Sequence, residues 1–232
     1  MKPYTILWEN QSLIAVCKAA NVSSVADEKD SADLCTQLCA YTGNTVYPVH
    51  RLDRMTGGVI VYAKTTAAAA ALSAQMKAHT TQKTYLAVVE GVPVLSCATL
   101  RHFLFFDRHK GKSYPVRIQQ TGSPMRRSVK EAILDYTLCA SIATPQGTRS
   151  LLRVLLKTGR THQIRCQLAA VGCPLCGDGK YGAHDKECRC ALWAFSLSFT
   201  DPESGTCLTL TAPPPDQYPW KLFSDSIQNL SP

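Results

Sequence analysis

Apolar positions along the chain come in short blocks separated by polar, turn-forming stretches, the arrangement of strands and brief helices. Over 5–18, Ile6, Leu7 and Trp8 and then Leu13, Ile14, Ala15 and Val16 flank Glu9-Asn10-Gln11-Ser12, which predicts two strands around a polar turn. Leu34, Leu38 and Tyr41 fall on one face of a short helix over 31–41. Gly57-Gly58 precedes a buried-type strand, Val59-Ile60-Val61-Tyr62-Ala63, and the alanine-rich stretch 65–78 has the propensity of a helix. A strand over 85–90 ends at Gly91-Val92-Pro93. Residues 101–128 are polar, basic and turn-rich, and are expected to leave the core as an excursion. Strands over 130–142 and 150–157 are joined by Pro145-Gln146-Gly147. A helix over 161–171 carries Thr161 at its start. Strands over 192–199 and 206–211 form a hairpin around Asp201-Pro202-Glu203-Ser204-Gly205, ahead of a proline-rich tail with Trp220.

Strands outnumber helices and hairpins outnumber crossovers. That predicts an α+β fold with a central mixed, mostly antiparallel sheet flanked by helices and loops, and the length fits one large domain over 1–232 or two small ones. A chain of 232 residues is ample for a sizeable core, and 45% hydrophobic against 18% charged residues excludes disorder as the main state. No apolar run approaches the ~20 residues of a membrane-spanning helix. The first ten residues lack the long apolar core of a signal peptide, so the expected compartment is the cytoplasm. Twenty-five basic against 17 acidic residues leave a net charge of +8, which favours polyanionic partners. Gly57-Gly58 and Gly177-Asp178-Gly179 match neither the dinucleotide fingerprint nor the phosphate-binding loop of nucleotide hydrolases.

Eleven cysteines in a chain without a secretion signal are not expected to pair, and an odd count fits full pairing poorly. Several lie in apolar segments, where cysteine acts as a small hydrophobe. Cys173, Cys176, Cys188 and Cys190 have a metal-like spacing, but the tight C-x-C half suits structural zinc poorly, so no metal is expected.

Three segments carry chemistry. In Val49-His50-Arg51-Leu52-Asp53-Arg54 a carboxylate lies between two arginines, which favours its ionised form; an ordinary loop ion pair has the same pattern. Lys83-Thr84-Tyr85 alone is an unremarkable strand start. Thr158-Gly159-Arg160-Thr161-His162-Gln163-Ile164-Arg165 gathers polar donors at a helix start, suited to a phosphate or simply to a solvated helix end.

Together these segments resemble the RluA-type pseudouridine synthases. His50-Arg51-Leu52-Asp53 with Thr56-Gly57-Gly58 is similar to that family's catalytic-aspartate motif. Lys83-Thr84-Tyr85-Leu86-Ala87-Val88-Val89-Glu90-Gly91 is similar to its second motif. Gly159-Arg160-Thr161-His162-Gln163-Ile164-Arg165, continuing through Leu168-Ala169, Gly172, Pro174, Gly177-Asp178 and Tyr181-Gly182, is similar to its third. Leu192-Trp193-Ala194-Phe195, Asp201-Pro202-Glu203-Ser204-Gly205 and Ala212-Pro213 resemble its terminal hairpin. The likeness is collinear over roughly 6–220 and starts at the catalytic domain's first strand, without the small N-terminal RNA-binding module of some members. Five positions depart from the pattern: Met55 replaces an acidic or polar residue, Gly57 a serine, Trp193 a histidine, and Cys173 and Cys176 a histidine and an apolar residue.

The resemblance implies isomerisation of uridine to pseudouridine in structured rRNA or tRNA, without a cofactor. It implies Asp53 as the catalytic carboxylate, either forming a covalent bond to the sugar or stabilising an oxocarbenium-like state. It implies that Arg165 pairs with Asp53 and that Tyr85 stacks on the uracil and serves as general base. Arg51, Arg54, Arg160, His162 and Gln163 are the expected substrate-binding residues. The target nucleotide must leave its stack to be reached. Arg101, Arg108, Lys110, Lys112, Arg117, Arg126 and Arg127, interleaved with Phe103, Phe105, Phe106 and Tyr114, form a candidate RNA-gripping arm. A monomer without an obligate protein partner or a membrane is expected. The competing readings are an idle RNA-binding factor on the same fold, a zinc protein and a thiol-redox protein.

Overall fold

The computed structural model describes residues 2–26, 33–117 and 128–230. In chain order the elements are β1 (Tyr4–Glu9), β2 (Leu13–Lys18), α1 (Leu34–Thr42), β3 (Tyr47–Pro48), β4 (Gly57–Ala63), α2 (Thr66–Ala78), β5 (Gln82–Glu90), β6 (Cys97–Asp107), β7 (Lys112–Val116), β8 (Val129–Thr144), β9 (Gly147–Leu156), α3 (Gln163–Ala170), β10 (Leu192–Thr200), β11 (Cys207–Thr211) and α4 (Ser224–Gln228). They gather in two units, Met1–Thr84 with Trp193–Pro214 and Tyr85–Leu192 with Pro215–Leu230. Strand pairing is mostly antiparallel, with β4 and β10 parallel, as the α+β reading requires. Among the described residues no helix is long and apolar enough to cross a membrane.

The first unit is built on β1-β2-β4-β10, with β3 on β4 and β11 on β10. The β1–β2 turn is closed by Asn10, whose Oδ1 accepts from the Ser12 and Leu13 amides at 3.0 and 2.7 Å. α2 starts where Thr65 Oγ1 accepts from the Ala68 amide, and it ends on His79 at φ 58°. Its Ala68 and Leu72 cover Leu13, Ala15, Val59, Val61, Leu197 and Phe199. Each large aliphatic buried there is worth about 1.5–3 kcal/mol over exposure.

Gly57 and Gly58 lie inside β4 rather than ahead of it. The reason is close approach: at Gly58 (φ +112°) a Cβ would stand 2.1 Å from the Ala194 carbonyl oxygen. β4 is buried at every position, which leaves the loop before it, 49–56, to reach the surface.

In the second unit the strands run β5-β9-β8-β6-β7. β8 pairs with β9 from Leu134↔Leu156 to Thr144↔Gly147, with a register shift between Leu138 and Ala140. Against this sheet α3 buries Gln163 through Leu168. The tail packs: Trp220, Phe223 and Ile227 are buried.

The expected excursion is only partly one. Residues 101–107 belong to β6, paired along β8 from Cys97↔Thr137 to Phe105↔Val129. Leu100 and Leu104 are buried on one face of β6 while Arg101 is exposed. The two-residue strand period allows this: charge on one face hid the apolar face from a compositional reading. Arg126 and Arg127 lie outside the described residues.

Candidate active site

Asp53 sits half-buried in the loop before β4, between exposed Arg51 and Arg54 and after buried Leu52. The loop is tied to its own unit at several points. The Asp53 carbonyl accepts from the Thr56 amide at 2.9 Å, which closes a turn. Leu52 exchanges two hydrogen bonds with Ser24 Oγ, at 3.0 and 3.2 Å. Tyr62 on β4 donates its hydroxyl to the Ser24 carbonyl at 2.6 Å. His50 accepts from the Val61 amide through Nε2 at 3.2 Å. Burial, with repulsion from Lys83 added, pushes His50 down to about 3, so the ring is neutral and can accept.

Beneath the loop lies Lys18, the last residue of β2 and fully buried. Its Nζ donates to the carbonyls of Ala19, Val22 and Arg54 at 3.0, 2.7 and 3.3 Å. Burial pulls Lys18 down to about 8, against the opposing pull of the Asp53 carboxylate. The Arg54 carbonyl also accepts from the Asn21 amide at 2.7 Å, and Arg54 Nε donates back to the Asn21 carbonyl. The aspartate is thus presented from a loop fastened to β2 by the Lys18 side chain and to β4 by the His50 ring, with a cation below it.

In the second unit Arg165 projects from α3 and is buried. Its Nε donates to Asp178 Oδ2 at 2.6 Å and one terminal nitrogen to Asp178 Oδ1 at 2.8 Å. The Tyr181 ring lies 5.0 Å from the guanidinium carbon. Tyr181 Oη accepts from the Ser113 amide at 2.8 Å and shares a hydrogen bond with His162 Nδ1 at 3.1 Å. Ser113 Oγ donates to the Thr161 carbonyl at 2.5 Å, which fastens β7 to the start of α3. That start is not a Thr161 cap: His162 takes the N-cap position at φ 53° without a side-chain bond to the helix.

Gln163 is buried, and its side chain is engaged within the protein. Its Oε1 accepts from the Arg160 amide and Thr158 Oγ1, and its Nε2 donates to the Ile133 carbonyl. Arg160 is half-buried with Nε on the Glu131 carbonyl at 2.8 Å. Tyr85 lies on β5 and is 9% exposed. The structure therefore gathers Arg51, Asp53 and Arg54 in one loop of the first unit. In the second it gathers Arg160, His162, Gln163 and Arg165 around the start of α3, with Tyr85 on β5.

On the β6–β7 hairpin, Lys110 and Lys112 lie 6.0 and 5.5 Å from the centre of the Tyr114 ring, and Lys112 stands 4.9 Å from that of Tyr181. Arg108, His109 and Lys110 are exposed at the turn. Arg101 is engaged by Glu131 at 2.6 Å.

Among the described residues no three His, Cys, Asp or Glu side chains gather as a metal-holding group. Cys173, Cys176 and Cys190 are buried, and Cys190 Sγ lies 3.7 Å from Asp178 Oδ2, within reach of a weak donor bond. Burial pushes the Cys176 and Cys173 thiols up, which keeps them protonated.

Three participants were not singled out from sequence: Lys18, Asp178 and Tyr181. Lys18 had a signal, a lysine closing an otherwise apolar strand. Asp178 and Tyr181 stood in the matched motif but with no partner assigned, because their contacts to Arg165, Ser113 and His162 are long-range.

The chain matches the model of the RNA pseudouridylate synthase family over residues 12–170. It is 34% identical over 217 residues to "Uncharacterized RNA pseudouridine synthase YhcT" of Bacillus subtilis, covering 90% of this chain and 68% of that protein. It is 30% identical over 232 residues to "tRNA pseudouridine synthase C" of Pasteurella multocida, covering 89% of this chain and 90% of that one. Among solved structures, "Human RNA Pseudouridylate Synthase Domain Containing 1" superposes with a TM-score of 0.77 at 22% identity, over 99% of this chain and 98% of that one, a likeness of fold. The span of the family model takes in Lys18, Asp53, Tyr85 and Arg165, and the chain belongs to the RNA pseudouridylate synthase family, isomerases of uridine in RNA.

Proposed function

We propose that this protein converts specific uridines of structured rRNA or tRNA to pseudouridine, with Asp53 as the catalytic carboxylate of a single catalytic domain. The observation that supports the role of Asp53 is its loop: half-buried, flanked by exposed Arg51 and Arg54, and anchored through Ser24, His50 and Lys18. A carboxylate acting at a sugar carbon must be held in place while RNA moves, and side-chain to backbone bonds from Lys18, His50 and Ser24 do that.

The chemistry balances without a cofactor. The bond from the sugar C1′ to uracil N1 breaks, the base turns, and C1′ bonds to C5. The C5 hydrogen leaves as a proton and N1 gains one. Asp53 acts at C1′, Arg165 aims that carboxylate, and Tyr85 stacks on the uracil and takes the C5 proton. Arg51, Arg54, Arg160 and His162 contact the RNA, while Gln163 holds the Thr158–Arg160 turn in shape. The β6–β7 hairpin grips the backbone with its basic tip. The enzyme works as a cytoplasmic monomer, and sedimentation of the free protein checks the oligomeric state.

The test is nucleoside analysis of rRNA and tRNA fractions after incubation with the protein. Pseudouridine appearing at the expense of uridine in one fraction is expected. RNA bound without conversion would favour the idle binding factor, and in that case Asp53→Asn would change nothing.

A further inference from the structure

We propose that Asp178 is a positioning residue for the reaction: its carboxylate sets the plane of the Arg165 guanidinium. The inference rests on the functional reading above, which gives Arg165 its part in catalysis. Asp178 is held by its backbone on both sides. Its amide donates to the Leu175 carbonyl at 3.0 Å, and its carbonyl accepts from Tyr181 and Ala183 at 2.9 and 3.2 Å. Gly177 (φ +72°) is pressed against the 188–189 segment, where a Cβ would stand 2.4 Å from the Cys188 carbonyl oxygen. A carboxylate on so constrained a turn is a fixed template.

The fork onto Arg165 uses both carboxylate oxygens, at 2.6 and 2.8 Å, with the two side chains 2% and 7% exposed. Two parallel bonds fix a plane where one bond would leave a hinge. The ring of Tyr181 lies on the guanidinium at 5.0 Å, and Cys190 approaches the same Oδ2. A guanidinium has five N–H donors, and the fork commits two of them. Stability is a weak reason for the pair, because a buried ion pair seldom improves on apolar residues of the same volume. Orientation of a fixed cation is the stronger one.

The experiment measures single-turnover pseudouridine formation and RNA affinity for wild type, Asp178→Asn, Arg165→Lys and the double variant. Asp178→Asn is expected to slow the turnover on the order of 10²-fold, the cost of a small misplacement, with RNA affinity unchanged. Lysine at 165 has no fork, so in that background Asp178→Asn is expected to cost little more. Equal slowing in both backgrounds, or an unchanged rate, overturns the proposal. Asp178→Glu guards against a folding failure. It keeps the charge and shifts the carboxylate by one methylene, so melting near wild type with a slowed turnover is expected, and a wild-type rate overturns the proposal. A wild-type protein that makes no pseudouridine removes the functional reading and this inference together, whereas an active wild type indifferent to Asp178 removes the inference alone.

Discussion

Gly57 faces the indole of Trp193 so closely that a Cβ at 57 would stand 2.2 Å from the ring. The indole is buried and donates through Nε1 to the Ala212 carbonyl at 2.9 Å. Both residues depart from the family pattern, and the structure makes the two departures one packing solution: loss of the side chain at 57 gives the indole its space. Gly57→Ser alone is expected to destabilise the protein by about 1–3 kcal/mol through overpacking. Gly57→Ser with Trp193→His is expected to recover most of that. Denaturant unfolding of the cycle reads the coupling, and strictly additive losses would contradict it.

Lys18 links the Asp53 loop to pH. Below about 8 it is an ammonium with three donors for the carbonyls of Ala19, Val22 and Arg54; above that an amine has two. Turnover is expected to fall as pH rises through about 8. Stability moves the other way. The native pKa lies below the unfolded value of ~10.4, so this group's contribution is absent below about 8, grows across that window and is complete above it. Lys18→Met is expected to slow turnover roughly 10- to 100-fold and to abolish the alkaline limb. A pH–rate profile of that variant matching wild type would contradict the assignment.

Tyr181 ties β7 to α3 through one oxygen. Tyr181→Phe strands the buried Ser113 amide and is expected to cost about 1–3 kcal/mol. Proteolysis at the Arg108–Gly111 turn should quicken. Thermal unfolding with timed digestion checks both.

Asp185 joins a buried cluster with Arg149, at 3.2 Å, and Tyr218. Burial raises its carboxyl pKa, but Tyr218, the Glu187 amide and Arg149 outweigh that, and the net shift is downward. A carboxyl lowered in the native state stabilises the fold above its unfolded pKa, and that contribution is lost as pH falls through the native value. Asp185→Ala is expected to cost about 3–5 kcal/mol at neutral pH and less in acid, as unfolding titrations at both pH values would show.

The hairpins and α2 were legible in the sequence because their causes are local: alternation, an Asn10 turn, a Thr65 cap. What stayed hidden depends on partners far along the chain. Gly57 and Gly58 are placed ahead of the strand by sequence alone because the strand that forbids their side chains is β10, more than a hundred residues away. The core face of β6 was masked by Arg101 and its neighbours until β8 was seen beside it. Asp53 and Arg165 were legible as motif residues, but the fork that holds Arg165 and the buried cation under Asp53 were not, since burial of a charge is decided by tertiary packing.

The most direct measurement is tritium release from RNA labelled at C5 of uracil, with wild type and Asp53→Ala side by side and RNA binding measured for both. Forming the bond from C1′ to C5 must expel that hydrogen. Release by the wild type from rRNA or tRNA, abolished in Asp53→Ala while binding persists, is the result predicted here. Release undiminished by Asp53→Ala, or none from a wild type that binds the RNA, would contradict it.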